Sequence, residues 1–127
     1  MVLEIPARPE YLGLARLALS AVCRLTPLDA EDVADLKLAM TEAANALIDH
    51  AGDVDLESGA VAEDEPVNRG KLRFAYTLGE RELVLEVEAE HPEPAEGEEL
   101  ELGRAIIEAT VDSWHYGERS TRLVKRL

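Results

Sequence analysis

The sequence predicts an α/β (α+β) sandwich of two layers, in which a mixed, mostly antiparallel sheet is covered on one face by three helices. Two runs between Leu72 and Ala89 alternate apolar and polar residues and are separated by Gly79-Glu80-Arg81, the pattern of a hairpin with one greasy face. Apolar residues recur at helical spacing from Tyr11 to Leu25, from Ala30 to Ala51 and again through LGRAIIEATVD, residues 102–112. The resulting order is strand, helix, helix, hairpin, helix, hairpin. It contains no internal repeat and no linker, so a single domain over residues 1–127 is expected.

Each element has its own signature. VLEIPARP alternates and is stopped by Pro6 and Pro9, as a short strand leading into a helix would be. In the first helix Leu12, Ala15, Leu19 and Val22 form one stripe, and Leu14, Leu17, Ala21 and Leu25 a second. Thr26-Pro27 breaks it, and Asp29 with Asp32 three positions on resembles a cap for the next helix. There Val33, Leu36, Met40, Ala43 and Leu47 share a face. Residues 52–70 mix Gly, Asp, Glu and Pro without periodicity and are expected to form an acidic loop, and HPEPAEGEELE, residues 91–101, a second irregular acidic segment. The tail SWHYGERSTRLVKRL predicts two short strands around Gly117.

Composition narrows the function. Thirteen basic residues against 27 acidic ones give a net charge of −14, which disfavours nucleic acid and anionic membrane surfaces and suits a basic protein partner. No run approaches the roughly 20 apolar residues of a membrane helix, and the N-terminus lacks a basic stretch followed by an apolar one, so a cytoplasmic protein is expected. Cys23 is the lone cysteine and is expected to be a buried thiol. His91 and His115 have no metal-ligand spacing to any partner, and no metal site is expected.

The phrases IPARPEYLGLAR, DVADLKLAMTEAANALIDHA and LGRAIIEATVD resemble the anti-sigma regulatory factor kinases, serine-protein kinases within the GHKL (Bergerat-fold) ATPase superfamily. The resemblance spans nearly the whole chain and implies a histidine-kinase-like ATPase fold. It further implies a bacterial partner-switching protein, usually a homodimer, that binds a sigma factor. An antagonist protein releases the sigma factor, and active members phosphorylate that antagonist on serine with ATP and magnesium.

Phosphoryl transfer needs a base near the attacking hydroxyl, a metal bridging the phosphates, and donors for the developing charge. By the resemblance, Glu42 holds the place of the general base. Four residues on, about 40° round the helix, the family has a magnesium-binding Asn, where this chain has Ala46. The nearby amide, Asn45, lies about 100° away from that position. The adenine-reading Asp-x-Gly-x-Gly phrase is replaced by EAEHPEP, residues 88–94, which puts Ala89 in the Asp place and His91 in a Gly place, or Glu90 and Pro92 after a shift of one. The second glycine phrase, at the start of the third helix, keeps Gly103 but has Glu101 for its partner, and Glu93, Glu96, Glu98 and Glu99 crowd the same region. A phosphate-binding helix start wants free N–H groups and no adjacent anions. Thr121, or Ser120, matches the threonine that completes the family's nucleotide pocket.

Plainer roles stand beside these. Glu42 and Asp49 suit capping or ion-pair contacts, and His50 suits a helix C-terminus. Trp114 and Tyr116 suit core packing or an interface. Three functions follow. The first is an anti-sigma-like binding module with an impaired nucleotide site and no cofactor. The second is a working serine/threonine kinase using ATP and Mg, with Glu42 as base and Asn45, Gly103 and Thr121 about the cofactor. The third is an assembly partner unrelated to sigma control.

Overall fold

The computed structural model describes residues 1–48, 70–92 and 96–127. Asp49, His50, the expected acidic loop up to residue 69, and Glu93 lie outside the described residues. The elements are β1 (Val2–Pro6), a 3-10 turn (Pro9–Tyr11), α1 (Leu12–Cys23), α2 (Ala30–Asn45), β2 (Lys71–Leu78), β3 (Glu82–Ala89), α3 (Gly97–Thr110), β4 (Ser113–Tyr116) and β5 (Ser120–Arg126). Among the described residues the sheet has the order β1-β2-β3-β5-β4 and every pairing is antiparallel, so the expected mixture is replaced by a single orientation. The β2–β3 and β4–β5 connections join sheet neighbours and α1 and α2 come between the neighbours β1 and β2, whereas α3 leads from β3 to the edge strand β4 with β5 between them, so no two neighbouring strands run parallel.

Alternation decides which side of the sheet is buried. Leu72, Phe74 and Tyr76 of β2 and Leu83, Leu85, Val87 and Ala89 of β3 point to the helices and are almost fully buried. One cross-strand row runs Leu3, Phe74, Val87, Thr121, Tyr116, from β1 to β4 through the register of all four pairings. The opposite face carries charges such as Glu86 and Arg122, 3.9 Å apart, and among the described residues no helix packs on it.

α2 packs against both α1 and α3. Its start obeys the expected cap: the Asp29 carboxylate accepts from the Asp32 N–H at 2.8 Å. α1 buries Leu12, Ala15, Leu19 and Val22, whereas Leu14, Leu17 and Leu25 of the second stripe are 50%, 68% and 76% exposed. Tyr76 ties the layers together, its hydroxyl donating to the Ala15 carbonyl at 2.8 Å beside Met40 Sδ at 3.6 Å. Cys23 is buried as expected, and burial pushes its thiol pKa up against the pull of Lys37, so it packs as a small apolar group.

Two boundaries differ from expectation. α2 was expected to reach about Ala51 but ends at Asn45, after which Leu47 and Ile48 donate three residues back, to Ala44 and Asn45. That tightened turn keeps Leu47 and Ile48 buried, which is why apolar periodicity ran past the helix end. α3 begins at Gly97, inside the segment expected to be irregular. Gly97 has φ +67, a conformation that favours glycine, and Glu98 and Glu99 then occupy the first turn, where the helix dipole favours acids.

Candidate functional site

A cleft opens where α2, α3 and the β4–β5 turn converge, lined by Ala43, Ala46, Leu47, Leu100, Gly103, Arg104, Ile107, Tyr116, Gly117, Glu118 and Thr121. Its volume is about 60 Å³. The floor comes from α2. Because successive helical residues turn by about 100°, Ala43, Ala46 and Leu47 face α3 together, and Asn45 is turned away from them. Asn45 is not part of the lining. The tightened turn begins only after Asn45, so it does not bring that amide back.

Glu42, partly exposed, lies against Gly103 on the flank of α3. A Cβ built on Gly103 would lie 3.1 Å from Glu42 Oε2, so glycine is what allows α3 to approach the carboxylate this closely. Gly103 was expected at the start of the third helix. It is instead buried in the helix interior, since α3 starts six residues earlier, and the N-terminal turn carries Glu98 and Glu99 in place of a bare set of N–H groups.

Of the residues singled out from sequence, Thr121 lines the cleft with Gly103, Ala46 and Tyr116. β5 turns it inward, opposite Val87 and Tyr116, and at 5% exposure it is the buried polar side chain among the described residues. Its hydroxyl has no hydrogen bond to a described residue, yet no sealed-off side-chain oxygen or nitrogen there lacks a partner. Thr121 Oγ1 therefore faces open space, and the space beside it is the cleft. Ser120 pairs with Glu88 and belongs to the other face.

The register also settles the end of β3. Val87 and Ala89 both point inward at 0% and 1% exposure, so Ala89 holds the inward position and Glu90 is turned to solvent. His91 lies 3.5 Å from Glu90, and no group of three or more possible metal ligands occurs among the described residues.

One feature of the cleft was not foreseen. The Arg104 guanidinium sits 4.3 Å over the Tyr116 ring, while the Tyr116 hydroxyl donates to Glu108 Oε2 at 3.0 Å. Arg104 and Glu108 are one helical turn apart, so α3 clamps the ring from its face and its edge. Burial, then the hydrogen bond and the charge of Glu108, raise the Tyr116 pKa to about 12, with Arg104 opposing. The i, i+4 spacing was visible in the sequence, but its meeting with a tyrosine of β4 depends on where β4 lies. Trp114, the alternate residue, is 41% exposed.

Residues 5–126 match the histidine kinase-like ATPase domain family. Similar relatives include the serine-protein kinase RsbW of Bacillus licheniformis, 29% identical over 125 residues, which cover 98% of this chain and 71% of that protein. The serine-protein kinase RsbW of Listeria innocua is 30% identical over 119 residues, 88% of this chain and 75% of that protein. That of Oceanobacillus iheyensis is 42% identical over a shorter stretch of 59 residues, 46% of this chain and 37% of its own. The five-stranded sheet with three helices on one face, and a match covering nearly every described element, make this chain an RsbW-like member of the histidine kinase-like ATPase family.

Proposed function

We propose that this protein is an anti-sigma regulatory protein that works in the cytoplasm by partner switching, through protein binding and without efficient use of ATP. The observation that carries the reading is the cleft: at the position 40° from Glu42 it presents the methyl group of Ala46, and its volume is about 60 Å³. An engineered cavity of roughly 150 Å³ takes up benzene, and a purine is larger than benzene. Ala89 supplies no carboxylate for an adenine amino group, and the acids of the first turn of α3 oppose phosphate. The residues present do not fit a magnesium nucleotide. Glu42 alone, lacking a metal and a phosphate site, is a base with nothing to act on.

The partners are a sigma factor and an antagonist protein, and a homodimer is in keeping with the resemblance. The contact surface is the outer face of α1, where Leu14, Leu17 and Leu25 are exposed beside Arg16 and Arg24. No acid occurs from Tyr11 to Leu28, so the net charge of −14 comes from other surfaces and steers a basic partner from a distance. High salt should therefore slow association; an on-rate indifferent to salt would count against the steering.

A second reading, an active ATP-dependent serine/threonine kinase, is favoured by Glu42 and by the names of the relatives. Calorimetry with ATP and magnesium at millimolar nucleotide separates the two. Saturable binding overturns the proposal and makes Glu42→Gln the next variant to assay for serine phosphorylation. No heat of binding, together with sigma-factor capture that ATP does not alter, is the result expected.

A further inference from the structure

We propose that the outer edge of β4 is a docking site for an extended peptide segment of a partner protein, added to the sheet as an antiparallel strand and carrying a basic residue and an apolar residue two positions apart. The site lies away from the α1 surface described above, because β4 is at the edge of the sheet opposite β1, against which α1 packs. The β4–β5 turn sets which main-chain groups point outward. The Gly117 N–H donates to the Ser120 carbonyl at 2.7 Å, so Gly117 and, by alternation, His115 and Ser113 direct their main-chain groups at β5. Trp114 and Tyr116 direct theirs out of the sheet, where no described residue pairs with them. Natural sheets blunt such edges with proline, lysine or an inward-pointing charge. At the opposite edge the same alternation turns Val2, Glu4 and Pro6 outward, and Pro6 has no N–H to offer. β4, of sequence SWHY, has none of these residues and is protected by its shortness alone.

The side chains on the helix side of this edge select the occupant. The buried row Tyr76, Leu85, Leu123 continues to Trp114 and stops there, leaving the indole 41% exposed. An apolar side chain on an added strand prolongs that row and covers the ring. The neighbouring row ends at Tyr116, whose hydroxyl donates to Glu108 Oε2 at 3.0 Å. That carboxylate is exposed and accepts a cation arriving beside the ring. Antiparallel pairing then places the basic residue first along the peptide and the apolar residue two positions later. Charge favours such a segment over a second copy of this chain. A two-fold axis at β4 would bring together two Glu108 carboxylates and two chains of net charge −14, whereas a basic segment is attracted.

The probe is the capped hexapeptide Ser-Thr-Arg-Thr-Val-Thr, titrated into the full chain and followed by amide NMR shifts and by the fluorescence of Trp114, the lone tryptophan. Saturable shifts centred on residues 113–117, with a Kd on the order of 1 mM, and a blue shift of the indole emission are expected. Methylating the valine nitrogen removes the N–H that meets Trp114 and should weaken binding about tenfold. Methylating the nitrogen of the threonine between arginine and valine, which points away from β4, should leave binding within about twofold. Glutamate in place of the arginine should cost about fivefold, and Glu108→Lys should reverse that preference. If Glu108→Lys does not fold, the two methylated peptides decide alone, since they leave the protein unaltered. The proposal is overturned by absence of saturable shifts, by shifts centred elsewhere, or by equal effects of the two methylations. It is also overturned by concentration-dependent shifts at residues 113–117 without peptide, which would assign the edge to a second copy of the chain.

Discussion

Replacing Gly103 with alanine tests how firmly Glu42 is held. Gly103 is buried in the interior of α3 and is not among the glycines with positive φ, so alanine meets no backbone strain there. The exchange of glycine for alanine in a helix interior favours folding by about 1 kcal/mol. Against this, the new Cβ would lie 3.1 Å from Glu42 Oε2, a few tenths of an ångström inside ordinary contact, and 3.9 Å from Glu42 Cβ, which is ordinary contact. The obstructing atom is the far end of a flexible, half-exposed side chain, and moving it off its present rotamer costs about 0.5 kcal/mol. Gly103→Ala should therefore stabilise the protein by roughly 0.5 kcal/mol and raise Tm by about 2 °C for a chain of this size.

Urea and thermal unfolding of the variant, beside Glu42→Ala and the double variant, provide the assay. In the Glu42→Ala background the opposing oxygen is gone and the full gain of about 1 kcal/mol should appear, a coupling of about half that between the two sites. A loss of stability of about 1 kcal/mol or more for Gly103→Ala would refute the reasoning, because it would mean that the carboxylate is fixed in place. The outcome bears on function. A general base must be held within about 0.5 Å of its working position, and a carboxylate that yields to a methyl group is not so held.

Four further tests follow from the structure. Asp29→Ala removes the cap of α2 and should cost about 1 kcal/mol in urea unfolding, with no loss expected if the Asp32 N–H is equally well served by water. Tyr76→Phe deletes a buried hydroxyl bonded to the Ala15 carbonyl and should cost about 1 kcal/mol. Burial raises the Tyr76 pKa and takes that of Tyr116 to about 12, above the usual value near 10. The unfolded chain loses these protons first, so stability should be intact below about pH 10 and fall as pH climbs towards 12 and beyond; the Phe variants at 76 and 116 should flatten that fall. Ala89→Asp buries a lone carboxylate at a position 1% exposed and should destabilise the protein by several kcal/mol. Millimolar magnesium-ATP should not restore its Tm, and a restored Tm would show that the frame still accepts adenine.

The hairpin was legible because alternation at Leu72, Phe74 and Tyr76 and at Leu83, Leu85 and Val87 has a period no helix shares, and the turn at Gly79 lay where composition placed it. The start of α2 was legible through Asp29. What composition obscured was the start of α3, since GEELE looks like solvated acid until a helix dipole gives Glu98 and Glu99 a reason to be there. Periodicity could not choose between the two apolar stripes of α1. Packing chose the one containing Ala15, small enough to bring α1 within reach of the Tyr76 hydroxyl, and left Leu17 and Leu25 outside. In the cleft Gly103 and Thr121 line one space, and the clamp on Tyr116 depends on a distance between α3 and β4 that no local pattern encodes.

The residues that keep this chain recognisable and the residues that would make it a kinase belong to different physical groups. Ala39, Ala43 and Ala44 are fully buried and let α2 lie close between its neighbours. Ligand contacts carry no such load. Ala46 adds a methyl group to the cleft wall, and Ala89, 1% exposed, spares the core a buried charge. Glu42 fits this division as well: half-exposed at the helix rim, it is tolerated by the fold whether or not anything is left for it to deprotonate.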